Sequence, residues 1–493
     1  MPINKLLCLY VLCTLLINSV LCDYKPLRIG IVGGGISGSS VAYWISSQLN
    51  NTDVVYNITL YEKSNIVGGR IQSVTINNHT IESGASIIHS SNQYIYNFTS
   101  QFNLSFSEPP SAGSSTTGIW DGATFVFTTS TSLVWTALKL VWRYGLAYTT
   151  LYDCIESIAK SFWNLYDIQL NNMTYTTVDE LLQSVNLYNV TQINMTQYLY
   201  EHSLYDNSLI VQELVTSAIR VNYGQNLSVN ALAGSVGVIP LTNPSCFQID
   251  GGNVKLVESL LEATPNINIK LNTHVTEINK LQSTGTYELV SRYDGVISIH
   301  EYDYIVLATP LELADIQFKG DYTIDITNLP KRIYHTTHTT FISGVINSTY
   351  FGMKNYNDLP SSIVTIENDA VEFTSLTQCT EPDTNHHCIY KIFSRHILSD
   401  ITIDKLFVSY DKSTIHHIPW MAYPKFSPPE QYAPFRLDDK LYYSNAWENS
   451  VSCMECELIG SKNIALLVLQ SLGFSDSNIN TPHIDIDFDN DEL

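Results

Sequence analysis

The sequence predicts an α/β protein built on a parallel sheet, and three observations carry that prediction. The chain has 493 residues, 44% of them hydrophobic and only 15% charged. That is too much apolar side chain for a disordered protein and enough chain for two or three domains of about 100–200 residues. A β-branched run, Arg28-Ile29-Gly30-Ile31-Val32, suits a buried parallel strand. Gly33-Gly34-Gly35-Ile36-Ser37-Gly38 follows at once as G-x-G-x-x-G, and Ser39 to Ile45 then reads as a helix. A second strand, Ile58-Thr59-Leu60-Tyr61, ends in Glu62, 24 positions past the last glycine.

Each part of that unit has a physical task. Gly33 allows the tight turn, Gly35 lets backbone approach a pyrophosphate, and Gly38 lets helix and strand pack closely. The helix N-terminus offers free N–H groups and the positive end of its dipole. Glu62 is placed to accept hydrogen bonds from the two ribose hydroxyls of an adenosine. A G-x-G-x-x-G alone is weak, but strand, turn, helix, strand and terminal carboxylate in order predict a dinucleotide site.

The first 22 residues read as a secretory signal peptide: one charge at Lys5, an apolar run from Leu6 to Ile17, and Val20 and Cys22 at the small-residue positions before a cut. Asn18 and Ser19 interrupt the run, which is too short to span a bilayer. In a secreted chain the N-x-[ST] sequons at Asn57, Asn78, Asn97, Asn103, Asn172, Asn189, Asn194, Asn226 and Asn347 become glycosylation candidates, and an occupied one must lie on the surface. The C-terminal Asn490-Asp491-Glu492-Leu493 is similar to the KDEL-type retrieval signal, or is the end of an acidic tail. Acidic residues outnumber basic ones 47 to 25, a net charge of −22. That excludes nucleic-acid binding and disfavours anionic membrane surfaces.

Six cysteines remain after the leader. Cys379 and Cys388 bracket TEPDTNHH, a loop that a disulfide would close in an oxidising lumen. Consecutive His386 and His387 do not converge on one ion, so no metal is expected. Cys453 and Cys456 form a CxxC inside an expected helix, read as packing or a disulfide in preference to redox chemistry. Leu133 to Leu151 (LVWTALKLVWRYGLAYTTL) is apolar around most of its circumference, broken by Lys139 and Arg143. The leading expectation is a buried helix; the sharper one is a helix lining a substrate tunnel or touching a membrane.

After Glu62-Lys63 come Val67-Gly68-Gly69-Arg70 and Glu82-Ser83-Gly84-Ala85. On these segments the chain resembles the FAD-dependent amine-oxidase superfamily, with its GR2-type Rossmann-like fold. The resemblance implies that the small residues lie against the flavin side and that Arg70 offsets the diphosphate charge. It also implies that the backbone of Val275, in an Ile267–Ile278 strand pair, grips adenine. Tyr302–Pro310 looks like the returning strand. Leu441–Ala446 looks like the entry to a helix whose N-terminus, at Met454-Glu455, faces the flavin pyrimidine.

YEKSNIVGGRIQSV, IESGASIIHSSN, RVNYGQNLSVNALAG, the DGGN at Asp250–Asn253 and NSTYFG at Asn347–Gly352 resemble the prenylcysteine oxidase (prenylcysteine lyase) family more closely, over about Ile29 to Leu467. This implies a thioether oxidase with non-covalent FAD. Hydride would leave C1 of a farnesyl- or geranylgeranyl-cysteine, water would add, and the hemithioacetal would collapse to cysteine and a prenyl aldehyde. O₂ would be reduced to hydrogen peroxide, and the family's setting implies a lysosome, with the endoplasmic reticulum as the alternative. The FAD domain is expected from residues 27–98, 245–312 and 436–475, with 99–244 and 313–435 as a discontinuous α+β substrate domain. His89 is the candidate to bind or deprotonate the attacking water, beside a purely structural role; Tyr223 is open between packing and pocket. The rivals are an amine or polyamine oxidase and, without catalysis, a Rab-escort or GDI-like prenyl carrier.

Overall fold

The computed structural model describes residues 25–107, 116–242, 245–475, 477 and 479. The expected leader, the acidic tail and the NDEL terminus lie outside the described residues. A six-stranded sheet forms the first domain: β1 (Leu27–Val32), β2 (Tyr56–Tyr61), β3 (Ile267–Lys270), β4 (Tyr304–Leu307), β5 (Arg436–Asp438) and β6 (Leu441–Tyr443), in spatial order β3-β2-β1-β4-β6-β5. All neighbours are parallel except the β5–β6 edge pair. Ile29 lies between Ile58 and Tyr304, so the apolar run of β1 is covered on both sides, as a parallel sheet buried on both faces requires.

Helix α1 (Ile36–Leu49) is buried along nearly its whole length, because its small residues admit neighbours on every side. It packs on the C-terminal helix Met454–Ser471. Ser37 Oγ donates to Ser444 Oγ at 2.7 Å and accepts from Ser461 Oγ at 3.0 Å, tying that helix and the turn after β6 to the glycine turn.

The second domain is an eight-stranded sheet roofed by helices, its long strand Tyr334–Ile346 paired on one side with Cys388–Ser394 and on the other with Phe407–Tyr410 and His416–Pro424. The early strands Thr117–Trp120 and Phe125–Thr128 join its far edge, so the two sequence-separated stretches of this domain share one sheet.

Several expectations are corrected. β3 and the strand His274–Leu281 do not pair: the first adds to β2, the second enters a separate four-stranded sheet. Gln317–Lys319 joins that sheet too, so the boundary expected at 312 falls a few residues early. The Leu133–Leu151 segment is two helices, α2 (Leu133–Tyr144) and α3 (Leu146–Leu170), broken at Gly145 with φ 59°. Nor is α2 buried: Leu133 is 73% and Trp142 88% exposed, with Val134, Trp135, Leu138 and Val141 also outward, and Leu146 at the start of α3 beside them. Its other face is held by the Arg143–Glu213 ion pair at 2.6 Å.

Cys379 and Cys388 are free thiols: Cys379 faces the cavity described below, whereas Cys388 contacts the Tyr356 hydroxyl. Cys453 sits outside its helix as the N-cap, accepting from the Cys456 backbone N–H at 3.2 Å; the two thiols are not bonded but pack together, Sγ to Sγ 2.7 Å. Asn172 is only 6% exposed and donates to the Ile479 carbonyl, so this sequon has no room for a glycan.

Candidate active site

One cavity of about 1310 Å³ runs from the glycine turn to the helices of the second domain. A small-molecule pocket is usually about 300–1,000 Å³, so this one has space for a dinucleotide and a second long ligand. At its first end Gly33 takes φ +117°, and a Cβ there would stand 2.3 Å from the Ala308 carbonyl. A Cβ on Gly38 would lie 2.0 Å from the Gly33 carbonyl. Both are closed to any side chain. Gly35 differs: its added Cβ would meet nothing nearer than Gly68 O and Gly69 Cα at 3.8 Å. The space before it is free for a ligand at the start of α1.

Glu62 stands at the end of β2, where one carboxylate oxygen accepts from Gly34 N at 2.8 Å and the other from Ser64 N at 2.7 Å. The group is pinned, with lone pairs left for a sugar. Gly68 and Gly69 dock on the glycine turn through Gly68 N to Gly34 O at 2.9 Å. These features fit an FAD adenosine and diphosphate. Val275 is buried in His274–Leu281 beside a β-bulge and is not among the residues that line the cavity.

Arg70 lines the cavity, but not as an unpaired cation. Its guanidinium forms an ion pair with buried Glu448 and donates to the Ala422 carbonyl at 3.0 Å. Glu448 also accepts from the Tyr334 hydroxyl at 2.7 Å and lies 3.7 Å from Arg332. Arg332 in turn holds Glu312 at 2.8 Å and the Asn445 carbonyl at 2.6 Å. Net charge is thus largely cancelled here, and Arg70 presents donors in a fixed direction. Buried Glu457 is pushed up to about 8 by desolvation and by Glu448. Glu457 Oε1 and Asn445 Oδ1, both on residues lining this end, have no hydrogen-bond partner. Buried polar atoms left open this way fit the polar edge of a flavin.

Met454 and Glu455 open the last helix at the cavity wall. The Glu455 carboxylate is committed elsewhere: it caps the helix Gln93–Gln101, accepting from Tyr94 N at 2.7 Å, Ile95 N at 3.1 Å and the Tyr166 hydroxyl. Burial raises it to about 7. His89 also lines the cavity, with Nδ1 held 2.7 Å from Ser91 Oγ in a local turn. Tyr223 is both: it lines the cavity and packs edge-on against Tyr423 and Phe426.

The far end has two unlike walls. Phe127, Leu140, Ile158, Phe162, Trp163 and Leu214 make an apolar side carried largely by α2, α3 and the helices after them. The opposite side is the sheet, with Ser362, Ser375, Thr377 and Lys391. Trp420 covers Gly84, where an added Cβ would come 2.4 Å from its ring, and its indole N–H donates to Thr339 Oγ1 at 3.1 Å. Arg332, Glu448, Trp420, Tyr423 and Lys391 were missed by sequence reasoning. None belongs to a short motif; a lysine inside the apolar run Cys388–Ser394 was a readable signal for Lys391 alone.

The prenylcysteine lyase family model matches residues 127–481, and the NAD(P)-binding Rossmann-like domain model matches residues 31–102. Farnesylcysteine lyase of Arabidopsis thaliana is 36% identical over 465 residues, covering 91% of this chain and 89% of that protein. Prenylcysteine oxidase 1 of Mus musculus is 31% identical over 462 residues, covering 90% and 88%. Among solved structures, cyclohexylamine oxidase from Brevibacterium oxydans IH-35A superposes with a TM-score of 0.58 at 15% identity, over 91% of this chain and 100% of that one. A putrescine oxidase variant gives 0.58 at 12%, over 90% and 100%. At such identity these two structures establish the fold alone.

Proposed function

Because this chain belongs to the prenylcysteine lyase family, we propose that it is an FAD-dependent oxidase cleaving farnesyl- or geranylgeranyl-cysteine to free cysteine and a prenyl aldehyde. The observation that carries the reading is the continuity of one cavity from a dinucleotide cradle to a long apolar wall. When bound, FAD supplies the acceptor for hydride from the carbon beside sulfur.

The rest is the work of the chain's own side chains. The α1 N-terminus and Glu62 hold the dinucleotide. The apolar helices take the prenyl chain and exclude bulk water, which fixes the thioether carbon in place. No acid–base dyad is required, and His89 stands in the wall as the group to hold the incoming water. O₂ as final acceptor, with peroxide as product, completes the proposed stoichiometry. On anaerobic mixing, farnesylcysteine is expected to bleach the visible flavin band while putrescine leaves it unchanged. Readmitted O₂ should then release one peroxide per flavin. Reduction by the amine and not by the thioether would overturn the assignment.

We place the enzyme in the endomembrane lumen, on the strength of the leader, and in contact with lipid through α2. The outer face of that helix carries two tryptophans and several aliphatic side chains in the open, and Leu133, Thr136 and Leu140 of the same helix line the cavity. A lipophilic substrate would pass from bilayer to cavity along one element. Trp135→Asp with Trp142→Asp should abolish co-sedimentation with phosphatidylcholine vesicles and leave turnover of detergent-dispersed substrate within about twofold, since surface exchanges of this kind change stability by only ~0.5 kcal/mol. Undiminished vesicle binding would remove α2 from this role.

A further inference from the structure

A prenylcysteine has two ends with opposite needs. The tail wants an apolar wall; the amino-acid head is a zwitterion whose burial costs several kcal/mol unless each charge meets a partner. The scissile C–S bond lies between them. A receptor for the head must therefore sit between the cofactor segment and the apolar wall, within a few bonds of the reacting carbon.

Two charged groups meet where those parts join: Lys391 on the sheet side of the cavity, and Glu82 at the end of the hairpin strand His79–Glu82 that leads into the Gly84-Ala85 segment. Lys391 is 9% exposed, on the strand Cys388–Ser394, and its ammonium donates to the Glu82 carbonyl at 3.2 Å and to Ser86 Oγ at 2.7 Å. The ammonium also lies over the Phe393 ring, 5.2 Å from its centroid, and no third hydrogen-bond acceptor meets it among the described residues. Both acceptors belong to the Glu82–Ser86 segment, which the flavin side of the cavity shares; Phe393, two residues along the strand, faces the same cavity. Glu82 is 4% exposed; its Oε1 accepts from Asn253 N at 2.6 Å, and its Oε2 has no partner. The two side-chain charges have not closed on each other as an ion pair.

The other lysine and arginine side chains lining the cavity are either paired or set at its opposite end. Arg70 is neutralised by Glu448, and Lys63 lies beyond Glu62 at the adenosine end. Burial pulls the Lys391 ammonium down and pushes the Glu82 carboxyl up to about 7, the directions expected of charges short of partners.

We propose that Lys391 and Glu82 are the receptor for the substrate's amino-acid head, Lys391 taking the α-carboxylate and Glu82 Oε2 the α-ammonium. The pair makes the site selective for thioethers of an intact, free cysteine over prenyl thioethers that lack either charge. The inference rests on the thioether-oxidase reading above and deepens it.

The test compares three substrates on the holoenzyme: farnesylcysteine, farnesylcysteamine without the carboxylate, and 3-(farnesylthio)propionate without the ammonium. In the wild type each truncation should raise KM by roughly 10- to 100-fold with a smaller change in kcat, the size of one charge-assisted hydrogen bond. Lys391→Met should raise KM for farnesylcysteine by the same factor and leave farnesylcysteamine unaffected. Glu82→Gln should do so for the ammonium contact; because Glu82 also anchors Asn253, Lys391→Met carries the test if that variant does not fold. Equal KM for all three substrates in the wild type, or an equal loss on farnesylcysteine and farnesylcysteamine in Lys391→Met, would overturn the receptor and leave the oxidase standing. A wild type that turns over none of the three would remove the oxidase reading, and the receptor with it.

Discussion

Exchanging Gly35 for valine is expected to give a folded protein that is colourless as purified. Gly35 has φ −83° and ψ −172°, extended backbone open to any residue. Its added Cβ would meet only ordinary contacts at 3.8 Å from Gly68 O and Gly69 Cα. The protein admits the Cβ without strain, and the expectation is that the valine methyls beyond it occupy the space kept for the diphosphate. Flavin absorbance should fall to background, while the melting temperature matches that of wild type stripped of cofactor. Holo wild type should melt higher, since a ligand at about 100 times its Kd adds about 2.7 kcal/mol. Gly38→Val is the contrasting variant: its Cβ would lie 2.0 Å from the Gly33 carbonyl, so the first domain itself should fail. A yellow Gly35→Val protein with full flavin content would show that the dinucleotide does not cross this turn.

Removing the Glu448 carboxylate should cost about 3–5 kcal/mol of folding stability, the usual result of breaking a buried ion pair from one side. Glu448 is fully buried and is the ion-pair partner of Arg70, an acceptor for Tyr334 and a neighbour of Arg332. Arg332 would retain Glu312. Arg70 would keep the Ala422 carbonyl and the more distant field of Glu457, leaving its charge without an ion-pair partner in the wall of the cavity. Glu448→Ala is therefore expected to shift the denaturation midpoint of the cofactor-free protein strongly, and Arg70→Met in the same chain should recover part of the loss. A change below about 1 kcal/mol in Glu448→Ala would mean that solvent reaches Arg70 and screens it.

Much of the first domain was readable because its signals are contiguous. The turn at Gly33, the helix behind it and Glu62 at the next strand end all lie within one βαβ unit, where spacing along the chain is nearly spacing in space. The GGR segment was readable for the same reason, since Gly68 returns to Gly34 after a short excursion. Where the reading failed, the deciding partner was distant. The apolar run at Leu133 reads as core by composition, yet Gly145 breaks it and α2 finds no cover for its outer face. Cys379 and Cys388 close a short loop in sequence, but the strands carrying them turn the two thiols toward different surroundings. Glu455 opens a helix at the cavity as expected, yet its carboxylate caps a helix 360 residues earlier.

What the amino-acid sequence determined by itself was the dinucleotide unit and, through resemblance spread over the chain, the kind of chemistry to expect. Tertiary structure alone decided how charge is distributed around that chemistry. Arg70 meets Glu448, and Lys391 meets the Glu82 carbonyl across 309 residues. A hydrogen bond or ion pair acts over a few ångströms and carries no trace of the sequence distance it spans. Periodicity and motif spacing report only neighbours along the chain, so the cancelled cluster near Arg70 and the open pair at Lys391 and Glu82 became visible only when the two domains closed around one cavity.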